Sequence, residues 1–390
     1  MIDLLNKILG RKFTPLNLIT ISKQRLVTNY QNLSAINPQI KIAPVLKSNA
    51  YGHGIKLVGE ILDKVEAPFL CVDSLYEAFQ LYSKTKVKTP ILIMGYIHKK
   101  SLAVKKLPFS FAVYDFEHAQ NLNEYQKGAK VHVFVDTGMH REGVSVEELP
   151  QFLTELKKLK NIHIEGLMSH LADSANPDSE ITKKQLANFK KAKQLYQKFS
   201  LQPPRLKADI WFHLGGSYGL LNELASECNL VRVGRAVYGI TDKGEGLRVK
   251  EKDLPGIFLE PVLKHTTTIV QIKQIKKGDK VGYSGTFTAS KDMTIAILPL
   301  GYNDGVDRRL SNKGSVTIKG IECPIIGLIS MNITTIDATA ARRIVIGQEV
   351  VVFSNNPDDP NSVVNASKKG GLLPHEMLIH IAESTKRVVV

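Results

Sequence analysis

The 390-residue chain has little from which to build a disulfide or metal framework. Its three cysteines, Cys71, Cys228 and Cys323, are scattered without the paired spacing of a metal site, so no metal is expected. An odd, sparse count suits a reducing compartment, and a cytoplasmic location is expected. No apolar run approaches the ~20 residues of a membrane span, which argues against a membrane role. The opening "MIDLLNKILGRKF" is amphipathic but lacks the apolar core and cleavage site of a secretory signal. Internal repeats and low-complexity tracts are missing. So is a dinucleotide fingerprint: "LGGSYG", Leu214 to Gly219, is a weak glycine match and falls far too late in the chain. Acidic residues are in deficit, with 37 Asp and Glu against 52 Lys and Arg, a net charge of +15. A nucleic-acid partner would want that excess clustered with aromatics on one face. The lysines instead spread over helical stretches such as "TKKQLANFKKAKQLYQKF", so they read as a solvated surface that at most helps steer anionic substrates.

What is present is an ordinary globular balance, 43% hydrophobic and 23% charged, in a chain long enough for two domains. From Lys41 to about Ile240, short β-rich runs alternate with helical patterns. The runs are "KIAPVLK", "PFLCVD", "PILIMG", "FSFAVYD", "KVHVFVDTG", "IHIEGLMSHL", "DIWFHLGG" and "LVRVGRAVYGI". Eight strand candidates separated by helices predict an α/β fold, an N-terminal (β/α)8 TIM-type barrel rather than an open sheet. After "VKEKDLPG" the pattern becomes short alternating runs with Gly, Asn and Asp turns, which predicts a predominantly β C-terminal domain. The expected division is 12–250 for the barrel and 251–390 for the β-rich domain, with residues 1–11 packing against the latter. A strand and helix are expected in "NLITISKQRLVTNYQNLSAI", and a helix and strand in "PHEMLIHIAESTKRVVV".

In such barrels the functional side chains sit at the C-terminal ends of the strands. "APVLKSNAYGHG" ends the first strand candidate on Lys47, then adds the Tyr51 hydroxyl and two glycines around His53. A lysine in a mostly apolar site has a depressed amine pKa and forms a Schiff base readily.

"VLKSNAYGHG" resembles the pyridoxal-phosphate lysine motif of bacterial alanine racemases. The resemblance continues in order through "VDTGMHREGV", "GLMSHL", "RVGRAVYG", "VGYSGTFTA", "LGYNDG" and "GLISMN", over almost the whole chain. It implies a homodimeric isomerase that interconverts L- and D-alanine and supplies D-alanine for peptidoglycan. It implies that Lys47 carries pyridoxal 5′-phosphate and serves as the base on the D side. Tyr283 would serve the L side, reaching across a dimer interface. Arg232 would face the pyridine nitrogen, supported by His213. Because arginine is effectively always charged, it disfavours a proton on that nitrogen and weakens the electron sink. Ser217, Tyr51 and the backbone of Gly234 and Arg235 would cradle the phosphate, and His170 would lie beside the ring. Arg141 and the backbone at Met331 of the partner subunit would meet the substrate carboxylate, and Tyr302 would line the way in.

Four positions depart from that pattern. Phe134 stands where several members carry a lysine that becomes carboxylated and orients the arginine, so no carbamate can form there. Asn332 replaces a common aspartate, Gly216 a frequent asparagine, and Glu383 a phosphate-binding tyrosine; Glu383 is expected to point away. These departures leave open a serine or broad-specificity racemase. A non-catalytic pyridoxal-phosphate carrier would resemble the barrel alone, and a decarboxylase would be expected to bring a cysteine-and-aspartate constellation that is not found.

Overall fold

The structure is a computed structural model and describes residues 14–200, 210–241 and 258–390. It separates into two compact units, one built on the described residues between Lys23 and Ile240 and one on Thr14–Ser22 together with Glu260–Val390. Strand β1 (Leu18–Ile21) belongs to the second unit. The first unit holds β2 (Lys41–Pro44), β3 (Leu70–Val72), β4 (Ile91–Ile93), β5 (Ser110–Val113), β6 (Ala129–Asp136), a two-residue β7 (Val144–Ser145), β8 (Ile162–Met168), β9 (Trp211–His213) and β10 (Leu230–Val233). Neighbours run β2-β10-β9-β8-β6-β5-β4-β3, with β7 beside β6. Every pairing is parallel.

A parallel bridge between Val45 and Cys71 links the two ends of this order, with the Leu46 N–H on the Cys71 carbonyl at 2.7 Å. The result is a nearly closed eight-stranded barrel, and each of the eight runs read from the sequence supplies one of its strands. Parallel strands covered on both faces are written as continuous apolar runs. That is why "LCV" and "ILI" are buried at every residue. Inside, Ala43, Val45, Phe69, Cys71, Leu92 and Leu230 form one core cluster, and Ala112, Phe134 and Met168 another. Helices return the chain between strands. The one over Leu75–Lys84 starts from a capping box, with the Ser74 hydroxyl accepting from the Glu77 N–H and the Glu77 carboxylate accepting from the Ser74 N–H.

The second unit contains β11 (Leu263–Thr268), β12 (Gln271–Ile275), β13 (Lys280–Val281), β14 (Phe287–Thr288), β15 (Met293–Leu298), β16 (Ser315–Ile318), β17 (Ile321–Pro324), β18 (Thr334–Asp337), β19 (Glu349–Phe353) and β20 (Lys386–Val389). A six-stranded sheet runs β17-β16-β19-β11-β1-β20, beside a three-stranded sheet β12-β15-β18 and the ribbon β13-β14. Two helices, Val363–Gly370 and Pro374–Ile379, complete the described part.

One expectation changes. The barrel was expected from residue 12, yet β1 pairs antiparallel with β11 and parallel with β20, so the chain enters the barrel only after Ser22. Both partners lie more than two hundred residues away, and the alternating burial of "LITI" does not say which sheet the strand joins. The expected boundary at 250/251 and the packing of residues 1–11 fall outside the described residues.

His265 on β11 has no exposure, and neither ring nitrogen meets a hydrogen-bond partner among the described residues. Burial, aided by the Arg387 charge, pulls this imidazole down to about 4. The folded pKa lies below the unfolded value of about 6.5, so the stabilisation is present above pH ~6.5 and is lost as pH falls toward 4. His265→Leu is expected to flatten the fall of Tm between pH 6.5 and 4, measured by circular dichroism. A variant that loses Tm as steeply as the parent over that range would contradict this account.

Candidate active site

The Lys47 amine sits on an unusual piece of backbone. Strand β2 stops at Pro44, and Lys47 opens a short turn, Lys47–Tyr51. Ser48, Asn49, Ala50 and Tyr51 all have φ between 52° and 54°, a left-handed helical turn without a glycine in it. Each such residue costs roughly 1–2 kcal/mol, so the surroundings must hold it. The Glu77 carboxylate accepts the Ser48 N–H at 2.6 Å, and Asn49 Oδ1 accepts the Ile55 N–H at 2.8 Å. Gly52 and Gly54 continue at positive φ, 80° and 100°, which is what the glycines around His53 are for. The His53 ring donates to the Ala50 and Tyr51 carbonyls and packs on Tyr238 at 4.5 Å. Lys47 therefore lies beyond the strand tip rather than on it. Its surroundings are also less apolar than the sequence suggested, because the Asp73 carboxylate lies 3.7 Å from its Nζ.

A cavity of about 400 Å³ opens at this end of the barrel. Lys47, Tyr51, Arg141, His170, Ser217 and Arg232 line it, together with Gly234 and Arg235. It thus gathers eight of the nine barrel residues singled out from the sequence. The ninth, His213, stands behind Arg232.

Arg232 on β10 is 4% exposed. Its Nη1 donates to His213 Nδ1 at 2.6 Å and to the His213 carbonyl at 3.2 Å, and its Nη2 donates to the Ser169 carbonyl at 2.6 Å. Burial pulls its pKa down from the usual arginine value, yet the ordinary value is so high that the cation persists. His170 is held neutral, with its pKa near 3, by burial first and then by the Arg232, Arg141 and Lys47 charges.

The donor set suits a phosphate ester of a pyridine aldehyde. A Cβ at Gly234 would lie 2.4 Å from the Tyr51 hydroxyl, so glycine leaves room for that hydroxyl against the start of the Arg235–Tyr238 turn. Burial raises the Tyr51 pKa, with the Arg235 charge opposing, which keeps a neutral O–H donor. Ser217 heads the short helix Ser217–Leu221, and its Oγ accepts the Ala236 N–H at 3.2 Å. Arg235 stacks over Tyr218 at 5.4 Å. Hydroxyls and cations converge on one wall, and the amine of Lys47 also faces the cavity.

Arg141 is half-exposed, and its Nε bonds the neighbouring Glu142 carboxylate. Phe134 is buried beside Ala112, Met168, Met94 and Tyr114, so an apolar wall stands where a carbamate would need to be. Asp73, Glu77 and Glu142 were missed in the sequence. Glu77 was findable, since "SLYE" after a strand is a capping-box pattern. Asp73 and Glu142 carry no comparable signal.

The β-rich unit assembles its own group. Tyr283 follows β13, while Tyr302 and Met331 sit on two loops bonded to each other. The Tyr302 N–H donates to the Ser330 carbonyl at 3.1 Å, and the Asn303 N–H to the Met331 carbonyl at 3.0 Å. A Cβ on Gly301 would strike that same Ser330 carbonyl. Gly282, at φ 74°, lies against Leu328 at the start of this loop. Tyr283 is 69% exposed, Met331 57% and Tyr302 43%. Asn332 donates to the Asp304 carboxylate at 3.2 Å. Glu383 is exposed.

Comparison with known families agrees with this arrangement. Residues 21–242 match the N-terminal domain of alanine racemase, and residues 262–389 match its C-terminal domain. The chain belongs to the alanine racemase family. Alanine racemase 1 of Caldanaerobacter subterraneus subsp. tengcongensis is 32% identical over 367 residues, spanning 92% of this chain and 91% of that one. The alanine racemase of Citrifermentans bemidjiense is 32% identical over 356 residues, or 88% and 89% of the two chains. Among solved structures, an alanine racemase of Clostridium difficile 630 superposes with a TM-score of 0.86 at 29% identity over 97% of each chain. That of Bartonella henselae, with covalently bound pyridoxal phosphate, gives 0.80 at 26% identity over 97% of this chain and 100% of that one.

Gly234→Ala is expected to push the Tyr51 hydroxyl aside. Overpacking of this kind costs about 1–3 kcal/mol, so pyridoxal phosphate should bind about tenfold more weakly or worse in a fluorescence titration. Unchanged affinity would mean that the hydroxyl contributes nothing to the cradle.

Proposed function

We propose that this chain is an amino-acid racemase that interconverts L- and D-alanine, carries pyridoxal 5′-phosphate on Lys47, and works as a homodimer. The observation that carries the reading is the Lys47 amine sharing one cavity with a buried arginine and a set of hydroxyl donors. When bound, pyridoxal phosphate supplies an electron sink that makes the α-proton of an attached amino acid acidic. Lys47 holds the cofactor and moves the proton on one face. Tyr283 of the partner subunit moves it on the other, consistent with a phenol left exposed on its own unit. Arg232, supported by His213, disfavours protonation of the pyridine nitrogen, which restrains the sink and suppresses transamination. Ser217, Tyr51 and the backbone of Gly234 and Arg235 bind the phosphate. His170, held neutral, packs beside the ring. Arg141 orients the substrate carboxylate bidentately. Met331 and Tyr302 complete the pocket from the partner subunit. The residue division that goes with this reading is a cofactor-binding barrel followed by a β-rich domain that presents the second base.

A cytoplasmic enzyme making D-alanine for peptidoglycan is the simplest setting. No helix among the described residues is long and apolar enough to cross a membrane. A broader substrate range is the second reading, favoured by the Asp73 and Glu142 carboxylates beside the cavity and by the apolar wall at Phe134.

Lys47→Ala should abolish both the visible absorbance of the bound cofactor and racemisation. Retained absorbance at a cofactor-protein linkage would defeat the assignment. Tyr283→Phe should slow α-deuterium exchange of L-alanine by about a hundredfold or more while sparing exchange of D-alanine, since a positioned base contributes on that order. Equal loss in both directions would argue against two separate bases. Following L-alanine, L-serine and L-lysine by circular-dichroism decay separates the two substrate readings, and a strong preference for serine or lysine would displace alanine.

A further inference from the structure

Behind Arg232 and His213, the barrel interior continues into polar side chains, His132 and Glu165, that none of the roles above uses. His213 Nε2 meets His132 Nδ1 at 2.8 Å, and His132 Nε2 meets Glu165 Oε2 at 3.3 Å. Both imidazoles have no exposure, and they cross edge to face with ring centroids 4.9 Å apart. Glu165 also accepts from Ser110 Oγ at 2.5 Å and from Lys130 Nζ at 2.9 Å. The line has a space kept for it. A Cβ at Gly166, the residue after Glu165 on β8, would lie 2.2 Å from His132 Nδ1. Among the described residues no carboxylate touches the Arg232 guanidinium directly, and Glu165 is the carboxylate at the end of its hydrogen-bond line.

The protons along this line have one consistent arrangement. A guanidinium only donates, so His213 Nδ1 accepts and the His213 proton lies on Nε2. That N–H donates to His132 Nδ1, which places the His132 proton on Nε2, where it is donated to Glu165. A carboxylate only accepts, so it ends the line. A doubly protonated ring at either position would set N–H against N–H. The titration directions agree. Burial holds both imidazoles neutral. Burial also raises the Glu165 pKa, but the bonds from His132, Ser110 and Lys130 outweigh it and bring the carboxyl down to about 2.

We propose that Glu165 and His132 are positioning residues for the racemase reaction: the Glu165 carboxylate, through two imidazoles of fixed tautomer, commits His213 Nδ1 as an acceptor and so holds the Arg232 guanidinium in the cavity wall. The proposal rests on the pyridoxal-phosphate reading of that cavity. A neutral amide at position 165 could donate as well as accept. Once His132 turns its proton inward, His213 presents an N–H to the Arg232 N–H, and the cation is pushed from its place. Buried hydrogen-bond lines of this kind act as a unit, because each link fixes the next.

The test labels histidine with ¹⁵N and reads the tautomers by two-bond ¹⁵N–¹H correlation, with His132→Gln and His213→Gln used for assignment. In the parent protein both rings should be neutral with the proton on Nε2 from pH 5 to 8. A proton on Nδ1 of either ring overturns the proposal, whether or not any variant folds. In Glu165→Gln holoenzyme, mixed tautomers are expected. The value of kcat should fall about tenfold with KM for alanine nearly unchanged, and the fraction of turnovers lost to transamination should rise. Unaltered tautomers, kcat and partitioning in that variant would reduce Glu165 to a structural role and overturn the inference alone. A parent protein that takes up no pyridoxal phosphate would overturn the racemase reading and this inference with it.

Discussion

A guanidinium buried but for the cavity it lines is the constraint around which the barrel interior is organised. Removing a cation from water costs several kcal/mol unless its hydrogen bonds are met and a counter-charge is within reach. At Arg232 the barrel meets the donors with a histidine ring, that residue's carbonyl and the Ser169 carbonyl. It supplies the counter-charge indirectly, through His213 and His132 to Glu165. A carboxylate in direct contact would offset the guanidinium charge at the cavity wall, where the proposed reading uses it. Two neutral rings separate the charges while keeping the dipoles aligned.

A second strain is stored at the other wall. Four consecutive residues in the left-handed region carry the chain from Lys47 to Tyr51. Glu77 secures the start of the turn and Asn49 its exit. The turn aims an amine and a phenol from one short segment into the same cavity. The backbone cost is set against hydrogen bonds at both ends of the turn, and the one at its start comes from the Glu77 carboxylate that also caps the helix Leu75–Lys84.

The β-rich unit shows how exposed residues fit such a reading. The loops that carry Tyr302 and Met331 are tied to each other by backbone bonds at Ser330 and Met331. Loops held by a scaffold commonly carry function, and these bear exposed aromatics, as the proposed second catalytic face would need. In the proposed homodimer the phenol of Tyr283 reaches its counterpart's cavity without any movement within its own unit being invoked.

Much of this was legible beforehand. The eight barrel strands could be placed in order, since parallel strands covered on both faces leave uninterrupted apolar runs with turns between them. The chemistry-bearing residues near Lys47, Arg232 and Tyr283 stood in short local motifs, where contiguity does the work that folding does elsewhere. Glu77 also left a local trace, the four-residue cap. By itself the sequence determined the order of the elements, the barrel type and the candidate bases, because each depends on neighbours a few positions apart. Only the tertiary structure decided that β1 joins the β-rich sheet, that Lys47 rides a left-handed turn beside Asp73, and that His213, His132 and Glu165 stand in line. Those partners lie 81 and 33 residues apart. Side chains so distant meet only when neighbouring strands fall into register, and no periodicity records that.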